Sequence, residues 1–325
     1  MLKLFKPFGE IESTRSLYGD LVEVIGIDSQ NEDEHEMEIR KKMESCDILL
    51  ADVDIKVNKE LVENASNLKA VVCTSIGVDY VNIPEMTEKG IIVANNPDFC
   101  IEAVAEYAIS LMFTITRKTV IASNGVRDNN WLIRRKTGGK EIIGKTMGLI
   151  GFGRIGREVA RMCKGLGMNV IAYDPFMNTK LADELKVKVC EMDYLLRNSD
   201  FISIHIPLTD ENRNLINRES FESMKDGVYL INVSRGGIIN EKDLIEFVKK
   251  GKFGGVGLDV LEHEPPNVDD EITKLVDHNL IVTPHTAWYT YEAEVKADLH
   301  TRKQIEAIVN GKVPESVLNK EVLNH

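Results

Sequence analysis

The amino-acid sequence predicts an α/β protein with two domains, each built around a parallel β-sheet. Short apolar runs alternate with helical patterns along most of the chain, which is typical of successive β–α–β units. The 325 residues are also more than a single hydrophobic core usually organises. A glycine-rich turn near residue 151 begins a second series of strand patterns, and this supports a division of the chain.

The strand patterns fall into two series, separated by an apolar helix pattern over 101–120. The first series consists of 47–53, 68–75 and 90–95, with helical patterns at 57–66 and 84–89. The second series consists of 145–153, 168–174, 201–207, 227–234, 253–260 and 279–285. Six strands with intervening helices are typical of a doubly wound, dinucleotide-binding Rossmann sheet. The remaining predicted segments are an exposed charged helix over 31–45, an irregular stretch over 123–141 and a helix over 289–310.

Charge and cysteine content limit the class of protein. The formal net charge of −12 disfavours nucleic acid and anionic membranes as partners. The sequence has neither the apolar core of a signal peptide nor an apolar run of about 18 residues that would span a membrane. Five scattered cysteines without a CxxC pair predict neither a disulfide framework nor a zinc site. We therefore expect a cytoplasmic protein.

The stretch GLIGFGRIGREVARM contains Gly151, Gly153 and Gly156 in G-x-G-x-x-G spacing, between a strand pattern and a helix pattern. Gly151 would allow a tight turn, Gly153 the approach of a pyrophosphate, and Gly156 close packing of helix on strand. A glycine-rich turn without a ligand is the alternative. However, Asp174 ends the next strand, where a carboxylate can bind ribose hydroxyls but would repel a 2′-phosphate. With no arginine nearby to hold such a phosphate, the sequence predicts NAD rather than NADP.

Charged side chains follow three strands of the second series. Arg235 follows the fourth strand, Glu264 comes shortly after the fifth, and His285 ends the sixth. Arginine can hold the carboxylate of a 2-oxo acid, histidine can donate a proton near neutral pH, and a carboxylate beside the histidine favours imidazolium. Each residue alone could belong to an ordinary turn. Because ligands bind at the carboxyl ends of parallel strands, the three together predict a catalytic site.

The segment LDVLEHEPPN raises two further possibilities, because it places Glu262, His263 and Glu264 side by side. Two carboxylates and an imidazole could be part of a metal site, or the segment could be only a polar turn. It could also supply one member of an acid/base pair. The residues alone leave these alternatives open.

From about Asp47 to Asn319 the chain resembles the family of D-isomer-specific 2-hydroxyacid dehydrogenases. The stretches that carry the resemblance are TSIGVDYVNI, VAEYAISLM, GKTMGLIGFGRIG, HIPLT, INVSRGGIIN, GLDVLEHEPP and TPHTAW. Within the family, NNPDFCIEAVAEYA and PHTAWY are most similar to the branch of the C-terminal binding protein corepressors and related bacterial dehydrogenases. The resemblance implies a Rossmann domain combined with a discontinuous, flavodoxin-like substrate domain.

The resemblance also implies roles for individual residues. The family's catalytic arginine, glutamate and histidine fall on Arg235, Glu264 and His285, which selects Glu264 over Glu262. His263 then has no role, and no metal is expected.

Substrate and cofactor contacts follow from the same resemblance. Backbone amides of Ser75, Ile76 and Gly77 would bind the substrate carboxylate. Besides the three glycines, the implied cofactor contacts are Arg154, Ile155, Asp174, Pro207, Val233 and Asp259, with Val104 near the nicotinamide. Trp288 is a candidate for the substrate pocket, and packing at a domain hinge is the alternative.

The implied domains are a substrate domain, 1–98 with 289–325, and an NAD domain, 99–288, with the site in the cleft between them. Family members commonly form homodimers through the NAD domain, using the segment that matches 120–142. A homodimer is therefore expected.

The expected activity is reversible hydride transfer between NADH and a 2-oxo acid, giving the (R)-2-hydroxy acid. One alternative is an NAD(H)-sensing binding protein of the corepressor type with little turnover. Another is a more specific activity, as D-3-phosphoglycerate dehydrogenase or as hydroxypyruvate or glyoxylate reductase. The absence of a basic cluster near 75–80 argues against a phosphorylated substrate. Phosphite oxidation uses similar residues and ranks below these.

Overall fold

The computed structural model describes residues 1–27 and 32–324 and has the predicted α/β class, with strands and helices alternating along the chain. The strands are β1 (Lys3–Phe5), β2 (Glu23–Ile25), β3 (Ile48–Ala51), β4 (Ala70–Cys73), β5 (Ile92–Ala94), β6 (Thr146–Ile150), β7 (Asn169–Tyr173), β8 (Lys188–Val189), β9 (Phe201–Ile204), β10 (Val228–Asn232), β11 (Phe253–Leu258) and β12 (Leu280–Val282). The helices are α1 (Ile11–Tyr18), α2 (Glu32–Met43), α3 (Ile83–Glu88), α4 (Ile101–Arg117), α5 (Thr119–Arg127), α6 (Arg154–Gly165), α7 (Thr179–Glu184), α8 (Met192–Asn198), α9 (Arg218–Ser223), α10 (Glu241–Lys249) and α11 (Tyr291–Val309).

The first of two compact units comprises Met1–Cys100 and Thr290–His325. Its parallel sheet has the strand order β2-β1-β3-β4-β5, which is the flavodoxin-like order. Every residue of β3 and β4 is buried, as expected for a sheet covered on both faces. On one face, Ile305 and Ile308 of α11 join the core, so the C-terminal helix completes a unit that the N-terminal residues begin.

The second unit comprises Ile101–Tyr289 and contains a parallel sheet of order β12-β11-β10-β9-β6-β7-β8. Strand β6 pairs with β7 on one side and β9 on the other, so the strand order reverses at β6. In doubly wound sheets, the crevice at such a switch point binds ligands beyond the carboxyl ends of the strands. The glycine-rich turn follows β6 and therefore lies at that position.

Three strands were not predicted from the sequence. β1 and β2 have three residues each, and β8 has two exposed residues, so none is long enough to produce a recognisable apolar pattern. The predicted helix over 57–66 was wrong. That segment forms turns, because Asn58 Oδ1 accepts a hydrogen bond from Leu61 N and Val57 pairs with Val81.

The helix predicted over 101–120 is divided in the structure. Lys118 has φ 53°, a left-handed conformation that ends α4 and allows α5 to start in a new direction. The stretch 123–141, predicted to be irregular, contains the end of α5 and a 3₁₀ turn, Trp131–Arg135. In the predicted helix 31–45, Asn31 lies outside the described residues and α2 forms most of the rest.

The limits of the two units lie one or two residues from the domain boundaries expected from the sequence. The assignment of substrate and cofactor roles to these units stays a prediction. Among the described residues, no helix combines the length and the apolarity needed to cross a lipid bilayer.

Candidate active site

The glycine-rich turn between β6 and α6 depends on close backbone contacts. Gly151 has φ +100°, and a β-carbon there would lie 2.5 Å from the carbonyl oxygen of His205. A β-carbon on Gly156 would lie 2.3 Å from the carbonyl oxygen of Gly151. A β-carbon on Gly153, in contrast, would meet no atom of the described residues within 4 Å apart from its neighbours in the chain. Two glycines thus let the backbone close the turn, and the third leaves an open face for a ligand.

Asp174 holds the other side of this turn. Its Oδ2 accepts a hydrogen bond from Phe152 N at 2.8 Å, and its Oδ1 accepts one from Phe176 N at 2.8 Å. Gly153 caps α6 without a side-chain hydrogen bond, so the helix N-terminus offers its positive end to an anion. The turn, the helix end and a carboxylate with lone pairs to spare for ribose hydroxyls fit a dinucleotide.

His205 is a residue of this region to which the sequence reasoning assigned no role. It follows β9, the strand next to β6, and its Nε2 lies 2.8 Å from Ser203 Oγ. Exclusion of water by the surrounding protein lowers the pKa of His205 to about 3, so the ring is neutral at neutral pH. The HIPLT stretch contained a usable signal, namely a histidine directly after a strand at the switch point.

Arg235, Glu264 and His285 follow β10, β11 and β12, which are neighbours in the sheet of the second unit. His285 Nδ1 lies 2.7 Å from Glu264 Oε2, and the two side chains are 29% and 35% exposed. Glu264 Oε1 accepts a second hydrogen bond, from Leu261 N at 2.8 Å. With Nδ1 facing the carboxylate, Nε2 is the ring nitrogen left to face a reactant.

The pKa of Glu264 is the result of opposing effects. Partial burial raises it, but the hydrogen bonds from His285 and Leu261 N and the positive charge of Arg235 outweigh burial and lower it. Glu264 is therefore ionised at neutral pH, with its carboxylate facing the His285 ring.

A close approach of two loops brings Arg235 towards Glu264. A β-carbon at Gly236 would lie 1.9 Å from the carbonyl carbon of Leu261, so the chain passes this point only because position 236 has no side chain. The buried Asn232 donates from Nδ2 to the carbonyl oxygen of Arg235 at 2.9 Å and holds the start of the loop.

Asp259 supports the loop that contains His285. Its carboxylate is 1% exposed and accepts hydrogen bonds from Thr283 Oγ1 at 2.6 Å, Thr286 N at 3.0 Å and Ala287 N at 2.7 Å. Its carbonyl oxygen accepts from His285 N at 2.9 Å, and His285 has the unusual φ of 53°. The predicted contact between Asp259 and the cofactor stays a prediction, while the observed partners of its carboxylate belong to this loop.

In the first unit, Ser75, Ile76 and Gly77 form the loop after β4. In the part of the chain that the structure describes, the backbone N–H groups of these three residues donate no hydrogen bond. Ser75 Oγ donates to the carbonyl oxygen of Gly77 at 2.8 Å and lies 2.9 Å from the Tyr80 hydroxyl. Three consecutive unpaired N–H groups can bind an anion, which fits the carboxylate binding predicted here, and we call residues 74–77 the carboxylate loop.

The other residues predicted to contact the cofactor or the substrate lie at several places in the fold. Residues at the carboxyl ends of strands or at the start of α6 are Arg154, Ile155, Pro207 and Val233. Val104 is buried in α4, and Trp288 is 36% exposed with its ring centroid 5.1 Å from that of Tyr289. The roles of these residues stay predictions.

Among the described residues, Glu262 and His263 of LDVLEHEPPN form no hydrogen bond with the His285–Glu264 pair. Glu262 and His263 are exposed, and Glu262 N donates to the Glu241 carboxylate. Over residues 1–27 and 32–324, no three histidine, cysteine or acidic side chains form a group suited to a metal ion.

A family model and individual relatives both connect this chain with D-2-hydroxyacid dehydrogenases. Residues 109–287 match the family described as "D-isomer specific 2-hydroxyacid dehydrogenase, NAD binding domain". The chain is 39% identical over 282 residues to D-3-phosphoglycerate dehydrogenase of Archaeoglobus fulgidus, covering 87% of this chain and 53% of the relative. It is 40% identical over 270 residues to hydroxypyruvate reductase of Thermotoga maritima, covering 82% of this chain and 86% of the relative. The chain thus matches about half the length of the archaeal phosphoglycerate dehydrogenases.

A solved structure with the same architecture is D-lactate dehydrogenase from Aquifex aeolicus, which was crystallised with NAD and lactic acid. Its TM-score to this chain is 0.87 at 28% sequence identity, and the alignment covers 98% of this chain and 99% of that one. The two-domain α/β architecture predicted from the sequence is therefore confirmed.

Substitution of Asp259 by Asn would separate its two candidate roles. The amide would place an NH₂ group against an N–H or O–H donor, so the His285 loop would lose at least one charged hydrogen bond. We expect turnover with a 2-oxo acid to fall about 10- to 100-fold, with the Kd for NADH, measured by fluorescence, changed little. The exposed Asp277→Asn serves as control. Weaker NADH binding with unchanged kcat would instead assign Asp259 to the cofactor.

Proposed function

The chain belongs to the D-isomer-specific 2-hydroxyacid dehydrogenase family, and on this premise we propose that it is an NAD-dependent enzyme that interconverts a 2-oxo acid and an (R)-2-hydroxy acid. The observation that carries the proposal is the 2.7 Å contact between His285 Nδ1 and Glu264, at the sheet edge that also holds Arg235. A proton donor, its charged partner and a cation for the substrate are the groups that carbonyl reduction needs.

Each of these side chains has a defined task in the proposed reaction. When bound, NADH supplies a hydride to the carbonyl carbon of the 2-oxo acid. Arg235 holds the carboxylate and polarises the carbonyl oxygen, to which protonated His285 donates a proton from Nε2. Glu264 stabilises the imidazolium and orients its ring. In the oxidation direction, neutral His285 accepts the hydroxyl proton. The amides of residues 75–77 are proposed to bind the substrate carboxylate.

The direct test is NADH consumption with a panel of 2-oxo acids. His285→Ala should lower turnover by a factor of about 10² to 10⁴, the usual contribution of a general acid, while NADH still binds. Arg235→Ala should also lower turnover strongly, because the substrate loses the cation that holds its carboxylate and polarises its carbonyl. NADPH should be used less well than NADH, because Asp174 repels a 2′-phosphate. Near-parent rates in both variants would contradict the mechanism.

Substitution of Glu264 by Gln tests the acid/base pair separately. Without the negative charge the imidazolium is less stable, so the alkaline limb of the pH–rate profile for reduction should move to lower pH. The neighbouring, exposed Glu262→Gln is the matched control and should leave the profile in place.

Slow reaction with every 2-oxo acid by a protein that binds NADH would favour the corepressor-type alternative.

Among possible substrates, we propose a 2-oxo acid without a second anionic group. Asp52 directly follows β3, and the register Ala51↔Cys73 places it opposite Thr74, about 5 Å across the sheet, at the start of the carboxylate loop. The Tyr80 hydroxyl lies 2.9 Å from Ser75 Oγ. Burial first, then the neighbouring Cys73, and last the negative charge of Asp52 raise the pKa of Tyr80, so Asp52 lies close enough to this loop to act on it.

A phosphate-bearing substrate would place more negative charge near Asp52. Lys6 follows the adjacent strand β1 on the same sheet edge, but it interacts electrostatically with Asp298. The carboxylate of Asp52 therefore supports glyoxylate, hydroxypyruvate or pyruvate over 3-phosphohydroxypyruvate, although some relatives are named D-3-phosphoglycerate dehydrogenase.

Competition between hydroxypyruvate and 3-phosphohydroxypyruvate tests this choice. We expect kcat/KM to favour hydroxypyruvate by about tenfold or more, equivalent to about 1.4 kcal/mol. Asp52→Asn should reduce that preference, whereas the exposed Asp54→Asn should not. A preference for the phosphorylated acid in the parent enzyme would contradict the proposal.

We propose a homodimer formed through the second unit. Within the segment 120–142 and directly after it, the exposed apolar side chains are Val126, Trp131, Leu132 and Ile143, with Trp131 67% exposed. Such a group of apolar residues supports an interface with a second copy. Light scattering should give twice the mass of one chain, and Trp131→Asp combined with Leu132→Asp should halve it. A parent protein with the mass of one chain would contradict the dimer.

We also propose a cytoplasmic location, supported by the odd number and wide spacing of the cysteines in the sequence. Recovery in the periplasmic or secreted fraction of cells would contradict it.

A further inference from the structure

Three consecutive carbonyl groups of the loop after β4 are bound by two adjacent asparagines that follow β5. Asn96 donates from Nδ2 to Thr74 O at 3.2 Å and from its backbone N–H to Ser75 O at 3.2 Å. Asn95 donates from Nδ2 to Ile76 O at 2.8 Å. The orientation of three successive peptide groups therefore depends on this asparagine pair.

In a trans peptide, the N–H group points opposite to the carbonyl that shares its plane. With the carbonyls of residues 74–76 directed to Asn95 and Asn96, the N–H groups of residues 75–77 are directed away from them. We propose that Asn95 and Asn96 are positioning residues that present these three N–H groups to the carboxylate of the substrate. This inference rests on the proposed function and extends it to residues that do not touch the substrate.

The asparagine pair is itself anchored inside the first unit. Asn96 is fully buried, and its Nδ2 also contacts Thr301 Oγ1 at 2.8 Å and Ala297 O at 3.2 Å, both in α11. Asn95 Oδ1 accepts from Ser316 Oγ at 2.8 Å. The carboxylate loop is thereby tied through the asparagines to α11 and to the segment after it.

The energetic reason for such an arrangement is pre-organisation. A flexible loop would have to order three peptide planes each time a carboxylate binds, and the cost of ordering would reduce affinity. N–H groups oriented in advance bind the anion without that cost. Since the carboxylate is present in both the ground state and the transition state, the benefit appears as a lower KM with little effect on kcat.

A third buried asparagine of the same unit provides a matched control. Asn319 Oδ1 accepts from Val93 N at 2.8 Å, and its Nδ2 donates to Ile91 O at 2.8 Å, so it holds the C-terminal segment against β5. Among the described residues, its hydrogen-bond partners lie outside the carboxylate loop. Asn319→Ala should therefore lower stability in the way that loss of any buried amide does, without a specific effect on substrate binding.

The experiment compares Asn95→Ala, Asn96→Ala, Ser316→Ala and Asn319→Ala in the full chain. We expect KM for the preferred 2-oxo acid to rise about tenfold in the Asn95 variant and at least as much in the Asn96 variant, with kcat within a few-fold of the parent. The inhibition constant of oxamate, a carboxylate that is not reduced, should rise in parallel. The Kd for NADH should stay constant. Ser316→Ala should raise KM less, because Asn95 keeps its bond to Ile76.

The outcomes distinguish this inference from the proposed function. If Asn96→Ala does not fold, the Asn95 and Ser316 variants give the same measurement with less disruption of the core. Unchanged KM and oxamate inhibition in a folded Asn95→Ala enzyme would overturn the inference and leave the dehydrogenase intact. If KM rose as much in Asn319→Ala as in Asn95→Ala, the effect would be general destabilisation, and this result would also overturn the inference. A parent protein that reduces no 2-oxo acid would remove the proposed function, and the positioning role with it.

Discussion

The buried carboxylate of Asp259 is the constraint on which the arrangement of the second unit depends. A carboxylate that is 1% exposed is costly unless it is fully hydrogen-bonded, and its donors all come from residues 283–287. The loop after β12 follows a path that provides these donors, with His285 in a left-handed conformation. With the loop on this path, His285 Nδ1 lies 2.7 Å from Glu264 Oε2, so the contact between these two side chains depends on the hydrogen bonds of Asp259 on the neighbouring strand.

Two histidines show how environment separates residues of the same type. His205 is shielded from water, its pKa falls to about 3, and its nearest polar partner is the neutral Ser203 hydroxyl. His285 is partly exposed and faces an ionised carboxylate. The first is an uncharged neighbour of the glycine-rich turn, where a positive charge is already provided by the helix end. The second has a charged partner at Nδ1 and leaves Nε2 as its other ring nitrogen.

The two units offer anions different kinds of positive charge. In the first, Asn95 and Asn96 hold the carbonyl groups of residues 74–76, and we propose that the N–H groups of residues 75–77 bind a carboxylate while the nearby Asp52 disfavours further negative charge. In the second, the N-terminus of α6 and the side chain of Arg235 provide the positive charge. The net negative charge of the protein does not oppose the proposed binding of anions, because local dipoles and single cations act at short range.

The sequence by itself determined the α/β class, the glycine-rich turn with Asp174, and the three strand ends that carry Arg235, Glu264 and His285. These signals are local, because the spacing of apolar residues, the glycines of a turn and the residue that follows a strand can all be read from short stretches of sequence. The tertiary structure alone decided that 57–66 forms turns, that His205 is neutral, and that Asn95 and Asn96 hold the carboxylate loop. Each of these features depends on residues that are distant in sequence, such as Thr301 and Ser316, which bind the two asparagines. Burial and hydrogen bonds between such distant residues produce no recognisable pattern in the amino-acid sequence.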